Sequence, residues 1–157
     1  MASRKKTAQA SEGDQTAYQK VVGIARLEDI LLVSSSFSID PEYYAASEKT
    51  HHIHVQQEFS TFEDQAATAC EFSVTAKADE KDILLIKAKF VVSYSQLQGQ
   101  AGPAVEAFVK QVGVFAAYPY FRSFVSQLSW MASAQLPIAP ILRLSQPGAT
   151  GAPRPSD

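Results

Sequence analysis

Apolar and polar residues alternate strictly through the middle of the chain. Cys70, Phe72, Val74 and Ala76 take one parity against Glu71, Ser73, Thr75 and Lys77. Leu84, Ile86, Ala88, Phe90, Val92 and Tyr94 do the same against Lys87, Lys89 and Ser93. A period of two places each apolar set on one face of a strand. The short polar connection Asp79-Glu80-Lys81-Asp82 makes the pair a hairpin. Upstream, about His52 to Ser60 predicts another half-buried strand, with Ile53, Val55 and Phe59 on one face and His52, His54, Gln56 and Glu58 on the other. A longer first strand is predicted from about Val21 to Ile39, where Val33, Phe37 and Ile39 alternate with Ser34, Ser36 and Ser38. Pro41 ends it, because proline has no ladder donor to give.

The period changes after Gln98-Gly99-Gln100-Ala101-Gly102-Pro103. Val105, Phe108, Val109 and Val112 form a helical stripe over residues 104–113. Tyr118, Phe121, Val125 and Leu128, flanked by Phe124 and Met131, form a longer one, with Pro119 near its start. Leu136-Pro137-Ile138-Ala139-Pro140-Ile141 is apolar but interrupted by proline, which predicts an extended connection packed on the body, then a short helix or coil. Residues 1–19 are small and polar and are expected to be a disordered tail. Residues 145–157, with Pro147, Pro153, Pro155, Gly148 and Gly151, are expected to be a flexible one. One folded unit, residues 20–144, lies between them. A half-buried sheet must have its apolar face covered, so the pattern defines an α+β domain: a four-stranded antiparallel sheet followed by C-terminal helices packed on one face.

Composition narrows the function more than the fold. The chain has 157 residues, the size of one domain, with 46% hydrophobic and 19% charged residues. A formal net charge of -2 argues against electrostatic capture of nucleic acid. The single cysteine, Cys70, allows no intrachain disulfide and no cysteine-rich metal site, and fits a reducing compartment. Arg4, Lys5 and Lys6 are followed by no apolar stretch of the kind a signal peptide carries. No segment approaches the roughly 20 apolar residues of a membrane helix. The expectation is a soluble, cytoplasmic protein without membrane insertion.

Candidate chemistry is sparse. His52 and His54 would share a strand face beside His51, but two ligands fall short of the three or four a zinc site uses, and Glu58 is two pleats away. No metal is expected. Cys70 lies on the apolar parity of its strand, as a small buried hydrophobe does. Asp79, Glu80 and Asp82 are turn formers. With no glycine-rich phosphate loop and no nucleophile elbow, neither an enzyme nor a cofactor is expected. What stands out instead is aromatic surplus. Phe108, Phe115, Tyr118, Tyr120, Phe121, Phe124 and Trp130 exceed what one thin layer can bury.

Several motifs, in order, resemble the SecB export chaperones. Tyr118-Pro119-Tyr120-Phe121-Arg122, then Val125 and Leu128, is similar to that family's aromatic-Pro-Tyr-Ala-Arg helix start. Leu136-Pro137-Ile138-Ala139-Pro140 resembles its Leu-x-Leu-x-Pro linker. Glu71 to Lys77 resembles its third strand, and Ser36 to Pro41 the end of its first. The resemblance spans about residues 20–144. It implies an ATP-independent holdase that binds unfolded or precursor polypeptides, assembled as a homotetramer (a dimer of dimers). By position, Phe37, Ile39, Phe90, Val92, Tyr94, Leu97, Phe108 and Phe115 would line the client groove, and Tyr120, Phe124 and Trp130 the oligomer interface. The family's partner is the translocation ATPase SecA, docked on acidic residues. Asp40 matches one acidic position, but Ser36 and Ala67 stand where two others are expected, and Phe90-Val91-Val92-Ser93-Tyr94 replaces a Gly-Gly pattern. Two alternatives to a role in export follow: a chaperone of a toxin–antitoxin pair, and an oligomeric adaptor or apolar-ligand binder with no chaperone activity.

Overall fold

The computed structural model describes residues 3–136, with side chains from residue 13 onward. Helix α1 (Ser3–Ile24) leads into strand β1 (Arg26–Ile39), a single turn of helix α2 (Glu42–Ala45), strands β2 (Thr50–Phe62), β3 (Gln65–Ala78) and β4 (Lys81–Ser95), and helix α3 (Gly102–Met131). The strands form one antiparallel sheet in the order β1-β4-β3-β2. Thus β2, β3 and β4 are successive hairpin neighbours, while β1 pairs with β4 on the far side. The α+β architecture expected from the sequence is present, with α3 lying on one face of the sheet.

The alternation in β3 and β4 is met in full. Cys70, Phe72, Val74, Ala76, Ile86, Ala88 and Val92 are inaccessible to solvent, and the intervening residues are half-buried or exposed. Val105, Phe108, Val109, Phe121, Val125 and Leu128 descend on this row from α3. Phe72 is the centre of the contact. It stacks on Phe121 at 4.9 Å between ring centroids and meets Phe90 and Tyr118 at 6.1 and 5.8 Å. Each such fully buried side chain contributes about 1.5–3 kcal/mol. Close approach of helix to sheet requires Gly113, since a Cβ there would lie 2.2 Å from Thr68 Cγ2.

Four sequence expectations are corrected. The two helical stripes belong to one 30-residue helix with Pro119 inside it rather than near a start. Pro119 gives up one backbone hydrogen bond, and it does so at an exposed position. The β3–β4 connection is shorter than the polar run suggests. Only Asp79 and Glu80, at φ of +46° and +67°, form the turn, and Lys81 already pairs with Ala78. The stretch to residue 19, expected as a tail, is helical from Ser3, and the helix continues to Ile24, so the first strand begins at Arg26 rather than Val21. Val21 is completely buried, which gives this helix an anchor that composition alone conceals. Finally, Val33 does not share a face with Phe37 and Ile39. Leu32 pairs with Phe90 and Ser34 with Lys89, so Val33 is the extra residue of a bulge. The Pro137–Ile141 connection, the short element after it and the tail from residue 145 lie outside the described residues. Among the described residues, no helix is long and apolar enough to cross a membrane.

Candidate functional site

Strand β1 differs from the rest of the sheet. It is an edge strand, so one row of its backbone N–H and C=O groups has no strand partner among the described residues. Its side chains are mostly exposed although many are apolar: Leu31 and Leu32 are 53% and 48% accessible, and Leu27, Val33 and Phe37 are also exposed. The register explains which of them act together. Leu27, Ile30, Leu32, Phe37 and Ile39 stand opposite Tyr94, Val92, Phe90, Ile86 and Leu84 of β4. Directly opposed residues share a face, so these five extend the core row of β4 outward on the side that carries α3. The helix packs on β2, β3 and β4, and most side chains of β1 stay exposed. The result is an apolar shelf bounded by an open strand edge.

The residues expected to line a groove divide accordingly. Phe37 is exposed on the shelf, Ile39 is half-buried there, and Phe115 is half-buried on α3. Phe90, Val92, Tyr94, Leu97 and Phe108 are buried in the core. Leu27, Ile30 and Leu32 were missed, because two irregularities, at Leu27/Asp29 and Leu32/Ser34, shift the parity of β1. The signal available in the sequence was the run Ile30-Leu31-Leu32-Val33, apolar without alternation. Tyr120 and Phe124 lie one turn apart on the outer side of α3, with Trp130 beyond them. Tyr120 is exposed, Phe124 half-buried, and Trp130 is 84% accessible beside an equally exposed Met131.

The titratable groups have structural surroundings. Asp40 accepts a hydrogen bond from the Glu42 N–H at 2.9 Å and pairs with Lys81 at 3.0 Å. The N–H first, then the ammonium, hold its carboxyl below the usual carboxylate range. Asp40 is therefore engaged in the turn after β1, while Ser36 and Ala67 stand opposite Lys87 and Ser93 on β4. His51 lies against Tyr43, its Nε2 3.4 Å from the phenol oxygen, and burial lowers its pKa. His52 and His54 are exposed on the other face of β2. Among the described residues, no group of three or more histidine, cysteine or carboxylate side chains could hold a metal. Burial pushes the Cys70 thiol up, against a smaller opposing effect of Thr68 and Gln57, whose polar atoms are 3.9 Å away. Such a thiol is a poor nucleophile. Two tyrosines fix the far end of α3: Tyr43 donates to the Gln135 carbonyl at 2.8 Å and Tyr44 to the Ala132 carbonyl at 2.7 Å.

A sheet of this order with a long helix on one face and a bare apolar edge defines the class: the fold is that of the SecB-like chaperones. Among solved structures it is similar to the Mycobacterium tuberculosis SecB-like chaperone Rv1957, in complex with a ChAD peptide from the HigA1 antitoxin Rv1956. The TM-score is 0.68 at 17% sequence identity, covering 83% of this chain and 99% of that one. No family model and no curated protein sequence matches the chain.

Proposed function

We propose that this protein is an ATP-independent holdase that binds non-native polypeptide in the cytoplasm. The observation that carries the reading is the β1 shelf. A non-native chain exposes backbone groups and apolar side chains together, and β1 offers unpaired backbone beside Leu27, Leu32 and Phe37. Adding an extended segment to an open strand edge gives affinity through the main chain and tolerance through shallow apolar contacts. Preferential binding of the unfolded state delays folding and aggregation by mass action, and nucleotide hydrolysis has no part in it. The likeness to a SecB-like chaperone supports the same reading.

The test is suppression of aggregation of a chemically unfolded protein after dilution. The holdase delays light scattering at stoichiometric ratio; scattering unchanged at tenfold molar excess sinks the reading. Among clients, an antitoxin segment is favoured over precursors bound for export. Ser36 and Ala67 carry no charge where docking acids would stand, Asp40 is occupied by Lys81, and the similar chaperone was solved with an antitoxin peptide. Affinity for SecA at low salt separates the two, since tight binding would restore the export role. Copies of the chain associate, in this reading, through the outer side of α3 at Tyr120, Phe124 and Trp130, as a dimer of dimers.

A further inference from the structure

Helix α1 covers part of α3, and the contact is poorly made. Tyr18 sets its ring edge-on to Phe108 at 6.2 Å and donates its hydroxyl to Gln111 Oε1 at 3.0 Å. Phe108 in turn rests on Tyr94 of the sheet at 5.2 Å. One turn beyond Tyr18, Val21 is completely buried. Toward the start of α3 the fit fails. A half-open cavity of about 600 Å³ lies between Asp14, Ala17 and Tyr18 on one side and Ala101, Ala104 and Ala107 on the other. A second, of about 520 Å³, adjoins it between Gly13, Thr16 and Lys20 and the loop at Gly99–Ala101. Ala17 on one side and Ala101, Ala104 and Ala107 on the other reach little into the space, and no described residue fills it. The helix itself is weak. Gly13 and Gly23 interrupt it, and it has neither an acidic residue in its first turn nor a basic one in its last. Val22 and Ile24 remain exposed. A helix of this kind stays folded through its packing, and among the described residues its large packed side chains are Tyr18 and Val21.

We propose that α1 is a displaceable cover, and that the strip of α3 beneath it, formed by Ala104, Ala107, Phe108 and Gln111, is a second docking surface for non-native polypeptide. Its occupant is a helical segment that presents an aromatic side chain to the strip, as the chain's own Tyr18 does with its ring against Phe108 and its hydroxyl on Gln111. A segment carrying larger apolar residues where α1 has Gly13 and Ala17 fills the cavity that α1 leaves empty, and so displaces it. The inference rests on the holdase reading and deepens it: the β1 shelf takes extended segments, and the α1-covered strip takes helical ones.

The test compares the wild-type chain with two variants, using reduced, carboxymethylated lactalbumin as a permanently unfolded probe. In Gly13→Ala/Gly23→Ala, the added methyls meet nothing within 4 Å and strengthen α1 where it is weakest. This variant is expected to bind the probe several-fold more weakly. Tyr18→Ala loosens the cover and is expected to bind it several-fold more tightly. Hydrogen exchange on the full wild-type chain gives an independent readout, in which α1 amides exchange at least tenfold faster when the probe is bound while α3 stays protected. Equal affinity of all three proteins, or α1 protection unchanged by the probe, overturns the cover and leaves the holdase reading standing. If neither wild type nor Tyr18→Ala binds the probe, both fall. Should Tyr18→Ala not fold, the alanine variant and the exchange measurement still decide the matter.

Discussion

Gly113 marks the point where helix and sheet come closest, and its role is steric. The methyl of an alanine would sit 2.2 Å from Thr68 Cγ2 and 3.8 Å from Val92 Cβ, so either α3 lifts or Thr68 gives way. Thr68 is completely buried and cannot swing to solvent. Gly113→Ala is therefore expected to cost about 1–3 kcal/mol in urea unfolding. Thr68→Ala removes the obstructing methyl, so the double variant should recover most of that loss, a coupling that a double-mutant cycle measures directly. Tyr94 poses the opposite case. Its hydroxyl is buried without a hydrogen-bond partner among the described residues, and burial pushes its pKa up to about 12. The phenol ring contributes by packing on Phe108, whereas the oxygen only loses its water. Tyr94→Phe should leave the ring contact intact and raise stability by about 1 kcal/mol, read as an increase in the urea midpoint at unchanged slope.

At the scale of elements, the β3–β4 hairpin turns on two residues, Asp79 and Glu80, both in the left-handed region. That geometry matches the right-handed twist of the strands and favours Asn-Gly or Asp-Gly. Glutamate at the second position is strained by its Cβ, so Glu80→Gly is expected to stabilise by about 1 kcal/mol. It should raise Tm by about 2–4 °C in calorimetry. The turn also shows what kind of information the sequence carries. Strands β3 and β4 were legible because one face is buried without a break from Cys70 to Ala76 and from Leu84 to Tyr94, leaving every alternate residue a single environment. Helix α3 was legible in two pieces but not as one, since Pro119 reads as a boundary when it only gives up a single hydrogen bond at an exposed position. Helix α1 was not legible. It lies on the body by one side, at Tyr18 and Val21, and one pair of anchors a single turn apart in a polar segment is too short to establish a period.

At the scale of the molecule, the candidate site was legible as a class and less so as a set of residues. The helix motif Tyr118–Arg122 and the order of elements carried the fold, but assigning groove residues by position assumed that apolar residues near the groove would be open to it. In the structure Phe90, Val92 and Phe108 are closed into the core, and Leu27 and Leu32, displaced by bulges, take the exposed places. Two apolar surfaces then remain on different parts of the molecule, the β1 shelf and the outer side of α3, and each requires something to cover it. The proposed division of labour gives the shelf to extended clients and the outer side of α3, at Tyr120, Phe124 and Trp130, to copies of the chain. It predicts that the two can be separated. Trp130→Asp with Tyr120→Asp places charge on exposed positions, which spares the fold but disfavours a buried contact. In sedimentation this variant should shift from a multiple of 17.1 kDa toward the single chain, with little change in Tm. Leu32→Glu with Phe37→Glu should instead keep the assembly and abolish most suppression of aggregation, because both side chains lie on the shelf and neither is in the core. If the shelf variant dissociates the assembly while the α3 variant does not, the assignments are reversed: β1 joins the copies, and clients bind along the helix.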